Sequence, residues 1–257
     1  MQSVLQEIVA GNIFAFLLIF MRFGTVMMLM PGISDSFVPP QVRLLFALAI
    51  SFILAPVLAP TLPSIPSGMG PMLSLIVTEA FIGIFIGTVM RIIVSALDTA
   101  GTIASVQSGL SNAMVFNPST ESQGSIIGAF YSAVGVTIIL VSDMHHYMLS
   151  SVIDSYIVFP ATGVFPDIGS MSEVISKVVS IAFKIGVQIA MPLIVVGILM
   201  QMGLGFLGRL MPQMQIFFVA MPVQIFLTLL IIAITISSSI IYWINSYEEV
   251  LYQSLTK

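Results

Sequence analysis

The sequence predicts an all-α, polytopic membrane protein built of helical hairpins, and two observations carry that expectation. Of 257 residues, 58% are hydrophobic and only 7% are charged, against about 45–50% and about 25% in an ordinary soluble domain. So little charge cannot coat a water-soluble globule. The second observation is pattern. Apolar stretches of the roughly 17–25 residues needed to cross about 30 Å of hydrocarbon recur between short segments rich in Pro, Gly, Ser and Asn.

Taken in order, the first apolar run covers residues 13–30 and stops at Pro31-Gly32, with Pro39-Pro40 closing the loop. The second covers 42–55, after which Pro56, Pro60, Pro63, Pro66 and Pro71 oppose a continuous helix. A third, 72–104, is long enough to span and project. A polar interval, 107–124, precedes an apolar stretch to Val141, and a shorter run, 147–159, contains Asp154. Beyond the turn-rich 160–170 a long helix is expected over 174–209, with Pro192 inside it. Met211-Pro212-Gln213 breaks the pattern, and a final apolar run, bent at Pro222, reaches Asn245 ahead of a short polar tail. No shift in composition separates independent domains.

Several function classes fall away. The net charge is −4, with no basic cluster for a phosphate backbone, so nucleic acid is not an expected partner. The absence of cysteine removes disulfides, thiolate zinc sites and cysteine-held iron–sulfur clusters. The stretch from Met1 to Asn12 carries Glu7 and no Lys or Arg, unlike a cleaved secretory signal, so the run after it is expected to be retained. No nucleophile elbow, phosphate-cradling loop or His-Glu-x-x-His helix is present, and no enzyme activity or cofactor is expected. His145 and His146 are adjacent, so on a helix they point to different faces and do not chelate as an i,i+4 pair does.

The charges sit in unexpected places. Arg22, Glu79, Arg91, Lys184 and Arg209 lie within or at the edges of apolar runs, while the loops are nearly bare of Lys and Arg, leaving orientation unreadable. At about 2.5–3.5 kcal/mol for each charge held at mid-bilayer, several unpaired would cost on the order of 10 kcal/mol. They need partners. Glu79, Gly83, Gly87 and Arg91 form one row at four-residue spacing, and Gly197, Gln201, Gly205 and Arg209 another. Glu79 and Arg91 stand about 18 Å apart along a helix, so each must look to another segment or another chain. With Glu79 the one deeply placed acid, structural pairing is the stronger reading than an ion path. The small residues suit close helix packing, inside the chain or at a subunit interface. The eighteen Met suit a deformable seal as well as plain core filling.

One loop stands out. Gln107, Gly109, Asn112, Asn117 and Pro118 are mixed with Leu110, Met114, Val115 and Phe116, four large apolar side chains in seven positions. Irregular backbone at membrane depth is tolerated only against protein or around a cavity.

These residues, in this order, resemble the FliR family of flagellar export proteins and their injectisome relatives in type III secretion. The marks are Arg22 ahead of Pro31, Pro40-x-x-Arg43, Glu79 with Gly83 and Gly87, Gly101, Gln107-x-Gly109-Leu110, and Asn117-Pro118. They continue as Gly205-x-x-x-Arg209-x-x-Pro212-Gln213-x-x-Ile216-Phe217 and Pro222. Family members often carry Asp where Asn117 stands, and a Lys near Val223-Gln224. The resemblance implies a single export-gate domain over 1–257, like a fused FliP and FliQ, with a FliP-like portion about 1–175 and a FliQ-like portion about 176–257. It implies one copy in a helical ring with several FliP and FliQ, FlhB nearby, in the bacterial inner membrane at the flagellar basal body. It also implies hairpins standing largely above the bilayer and a lumen plug formed by the loop, through which unfolded flagellar substrates pass. A virulence injectisome subunit is the nearest alternative, disfavoured by Pro212-Gln213, which looks more like flagellar members. A secondary transporter would show matching repeats, which the loops around the two small-residue rows do not provide.

Overall fold

The computed structural model describes the backbone of residues 2–35, 37–110, 125–210 and 216–255, and side chains within 9–35, 37–110, 125–210 and 220–251. The described residues are helical, without a strand: α1 (Gln2–Leu29), α2 (Pro40–Leu58), α3 (Met69–Gln107), α4 (Ile126–Val141), α5 (Met144–Val158), α6 (Ile168–Leu210) and α7 (Ile216–Leu255). Five are long and apolar enough to cross a membrane, or six if α4 and α5 form one broken span.

The helix ends have local causes. α1 stops where Gly32 takes φ 86°, a conformation other residues avoid. Arg43, one turn into α2, folds back on that connection: Nε donates to Val38 O at 3.0 Å and Nη2 to Asp35 O at 2.6 Å. Pro40 opens α2 at the position where a missing N–H costs nothing. Against expectation, α2 continues through Pro56 to Leu58 and tightens into a 3-10 turn at Ala59–Thr61. A single proline forfeits one backbone bond, which does not end the helix so near its own terminus.

Helix α6 starts earlier than expected because Asp167 caps it. The carboxylate accepts from the backbone N–H of Gly169 and Ser170, each at 3.1 Å, and from the Ser170 hydroxyl at 2.5 Å. The Ser170 bonds, side chain first, and then that from Gly169 hold this exposed carboxyl below the usual carboxylate range. At the other end of the chain, α7 runs past Asn245 to Leu255. The helical period continues from Trp243 into the polar tail, where Tyr247, Val250 and Leu251 are buried as Trp243 is.

The chain folds into two compact units interleaved along the sequence, one from 1–93, 139–178 and 249–257, the other from 94–138 and 179–248. In the first, Phe14, Leu18 and Leu75 form a core with Leu62, Met72 and Ile76 against it. Here α1 and α3 touch through backbone. A Cβ on Gly83 would sit 2.0 Å from Thr25 Oγ1 and 2.4 Å from Arg22 O, and one on Gly87 2.7 Å from Leu29 Cβ. In the second unit α3 is approached as closely by other helices: a Cβ on Gly135 of α4 would meet Leu97 Cδ1 at 2.2 Å, and one on Gly186 of α6 would meet Ala96 O at 2.8 Å.

We expect Gly83→Ala to lower the melting temperature of the detergent-purified protein, overpacking costing about 1–3 kcal/mol. Gly205 has nothing within 4 Å of its would-be Cβ, so Gly205→Ala is expected to leave stability unchanged or raise it by about 0.4–1 kcal/mol. Equal shifts in the two variants would mean that α1 and α3 separate at no cost.

Candidate functional site

Within the first unit the charges of α1 and α3 meet in one buried node. Arg22 and Glu79 are both fully buried. Arg22 Nε donates to Glu79 Oε2 at 2.7 Å and Nη2 to Oε1 at 2.9 Å, a two-pronged fork. Nη1 donates to Ser155 Oγ at 3.0 Å and Nη2 also to the carbonyl of Phe159 at 2.8 Å. The guanidinium lies 3.8 Å from the centre of the Tyr156 ring, within range of a cation–π contact. Ser155 passes its own proton to Val152 O at 2.6 Å, and the Phe159 ring packs edge-on against Phe85. One side chain thus ties α1, α3, α5 and the turn after α5 together.

Other charges of the apolar helices behave differently. Arg91, Lys184 and Arg209 are exposed, and no carboxylate pairs with them among the described residues. Each α-helical residue turns the helix by about 100°, so a four-residue row drifts by about 40° per step. Glu79, Gly83 and Gly87 therefore stay on the buried face of α3, while Arg91 has turned out of it.

The root of the apolar loop is visible in the second unit. Gln107 ends α3, with its backbone carbonyl bonded by the side-chain amide of Gln224 on α7. Its side chain presses on α6 at Gly197, where a Cβ would lie 2.4 Å from Gln107 Oε1. Gly109 follows with φ 74°, and Leu110 donates its N–H to Ser108 Oγ at 3.3 Å. Met114, Val115, Phe116, Asn117 and Pro118 lie outside the described residues, as do Pro212 and Gln213.

Sequence order concealed two features. The node's partners on α5 went unnoticed because Ser155 and Tyr156 read as ordinary members of an apolar run. A turn at Asp143, φ 58°, also brings Asp143, His145 and His146 donor atoms within 4.8 Å of one another. Three donors, the His146 and Asp143 side chains more than two-thirds exposed, fall short of the four that close a structural zinc site.

Two clefts accompany these elements. One of about 380 Å³ is lined by Ile82, Phe85, Phe159, Phe165 and Met171; of its polar side chains, Asp167 and Ser170 are spent on capping α6 and Thr162 accepts from the N–H of Val164. The other, about 480 Å³, lies among Met200, Leu204, Leu207, Val223 and Leu227. Both walls are largely apolar.

The fold and the node define a polytopic helical membrane protein whose first unit is tied together by a buried ion pair. A family model described as bacterial export proteins, family 1, matches residues 13–250. The chain is 37% identical over 242 residues to the flagellar biosynthetic protein FliR of Caulobacter vibrioides, covering 94% of this chain and 96% of that one. It is 28% identical over 228 residues to FliR of Bacillus subtilis, with 87% and 86% covered, and 28% over 200 residues to FliR of Escherichia coli, with 76% and 74% covered. The chain belongs to this family of bacterial export proteins, the FliR family.

Removing one member of a buried ion pair strands the other, at about 3–5 kcal/mol. Glu79→Gln and Arg22→Leu are each expected to reduce thermal stability sharply. Arg22→Lys is expected not to rescue it, since an ammonium lacks the planar fork. The double variant Arg22→Leu/Glu79→Leu should lose less than the sum of the single losses, as a double-mutant cycle on melting temperatures will show. Additive losses would mean that the two charges do not depend on each other.

Proposed function

We propose that the chain is the FliR-like subunit of the flagellar type III protein-export gate. It acts without catalysis, forming with FliP and FliQ the channel for unfolded flagellar substrates, beside FlhB, in the bacterial inner membrane at the basal body. The observation that carries the reading is identity of 37% with a flagellar FliR over nearly the full length of both chains. The relatives named above are flagellar proteins, which favours the flagellum over an injectisome.

A physical argument supports assembly with other hydrophobic subunits. Along α6, exposed apolar side chains extend from Val179 and Phe183 through Val195, Leu199 and Phe206 to Leu210. At 1.5 Å per residue that is about 46 Å of helix, while the hydrocarbon is about 30 Å thick. Fitting it would take a tilt near 50°, outside the 0–40° that spanning helices adopt. At about 100° per residue, Val179 and Phe183 lie on the side of α6 opposite Val195, Leu199, Phe206 and Leu210. Apolar surface is thus presented on both sides of the helix; lipid alone does not cover its whole length, and neighbouring protein does. Gly205 and Arg209, exposed near the end of this stretch, belong to that covered surface in our reading. Gly83 and Gly87 serve packing inside the subunit. The division into a FliP-like portion, about 1–175, and a FliQ-like portion, about 176–257, belongs to the same proposal.

In this reading the loop from Gln107 to Pro118 closes the channel at rest. Leu110, Met114, Val115 and Phe116 exclude water from a constriction, and a dewetted apolar ring blocks ions without a folded lid.

Three outcomes check the proposal. Purification of the tagged chain from its own cells should bring down FliP and FliQ; a monomer or simple homo-oligomer would instead fit a free-standing transporter. Gly205→Leu should reduce recovery of the complex several-fold while leaving the isolated chain as stable as before. Deleting residues 110–116 from an assembled complex should raise its resting ion conductance at least tenfold, and a deletion complex as tight as wild type would make the loop merely structural.

A further inference from the structure

The second unit shows two kinds of surface. Phe130 of α4, Phe183 of α6 and Ile234 of α7 are large, apolar and exposed. On α3 the exposed side is different: between Val94 and Ser105 the exposed residues are Ser95, Asp98 and Thr102, and all three are polar. At about 100° and 1.5 Å per residue they fall within an arc of about 60° and over about 10 Å of helix. Other sides of α3 are taken, by α4 where Gly135 meets Leu97 and by α6 where Gly186 meets Ala96 O and Thr99. Further on, Gly197 of α6 meets Gln107 of α3. The contacts of Gly186 with Ala96 and of Gly197 with Gln107 have the same separation in sequence, so α3 and α6 run side by side in one direction. Lys184 and Gln188, both exposed on α6, therefore stand level with the polar stretch of α3. Asp98 and Lys184 have no ion-pair partner among the described residues.

We propose that Ser95, Asp98 and Thr102 of α3, with Lys184 and Gln188 of α6, form a wetted wall of the export channel, along which the unfolded polypeptide passes. This rests on the channel reading and adds which surface of the subunit that polypeptide meets. A carboxylate and an ammonium without partners are disfavoured against hydrocarbon, and buried against another subunit each would need an opposite charge. Water satisfies both. The unfolded chain brings a demand of its own, because every peptide unit carries a donor and an acceptor that lose water on entering a narrow passage. Hydroxyls, an amide and one charge of each sign offer both kinds of partner to any sequence. With the two signs balanced, the wall has no net charge to hold a charged segment fast. A wall of side chains like Phe183 would instead grip the hydrophobic residues that an unfolded chain exposes.

The chain contains no cysteine, so single engineered thiols report cleanly. Thr102→Cys, Gln188→Cys and, as the apolar control, Phe183→Cys are placed in the assembled complex in membrane vesicles. A charged, membrane-impermeant methanethiosulfonate is then applied from both sides. The thiols of Thr102→Cys and Gln188→Cys should react at least tenfold faster than that of Phe183→Cys. A flagellar substrate fused to a folded domain too wide for the channel, and so halted inside it, should slow both at least fivefold and leave the control unchanged. Rates equal to the control would bury the polar stretch against protein or lipid and overturn the proposal. Fast labelling that the halted substrate does not slow would put the stretch on water outside the channel and overturn it too. If either variant fails to assemble, Ser95→Cys, also exposed, takes its place. Failure of the channel reading is separately visible, as a tagged chain recovered without FliP and FliQ.

Discussion

The first unit depends on one constraint: a cation and an anion taken fully out of water must satisfy each other completely. The penalty for burying either ion alone is several kcal/mol, so Arg22 and Glu79 are present together or not at all. The fork geometry fixes the rotation and height of α1 against α3, because two parallel bonds at 2.7 and 2.9 Å tolerate little sliding. What Glu79 leaves over on the guanidinium goes to Ser155 and Phe159 O, and that choice places α5 and the turn after it. The node also requires Gly83, one helical turn after Glu79. Any side chain there would push the backbone of Arg22 away and stretch the fork. Charge pairing and small-residue packing are two halves of one contact.

The second unit solves the same problem with neutral groups. Its helices approach through Gly101, Gly128, Gly135 and Gly186 and are fixed by hydroxyls and amides rather than ions. Neutral hydrogen bonds are weaker singly, but they carry no desolvated charge if one is broken.

How much of this was legible in the sequence follows from the range of each signal. The helices announce themselves through local hydrophobicity, and Pro31-Gly32 and Arg43 mark the first connection within a few residues. The row from Glu79 to Gly87 announced close packing on one face of α3. Its partner could not be named, because Arg22 lies 57 residues away and periodicity carries no information about which faces meet. At Arg91 the row leaves the buried face, since equal spacing on paper is a drifting spiral on a helix. Asp154 drew notice as the charge in its run, yet it is exposed while its neighbours Ser155 and Tyr156 are buried. Polar atoms able to complete an arginine look like filler until the arginine is in place.

Gln224 shows what the end of a helix asks of a neighbouring helix. Here the amide of Gln224 donates to the carbonyl of Gln107, one of the last carbonyls of α3, which have no partner within the helix. Lysine and glutamine share the capacity to donate from a side chain of similar reach; they differ in charge. What this site demands is therefore a donor for a helix end that cannot be left bare in apolar surroundings. A formal charge is dispensable there, as it is not in the node of the first unit, where a carboxylate waits for it.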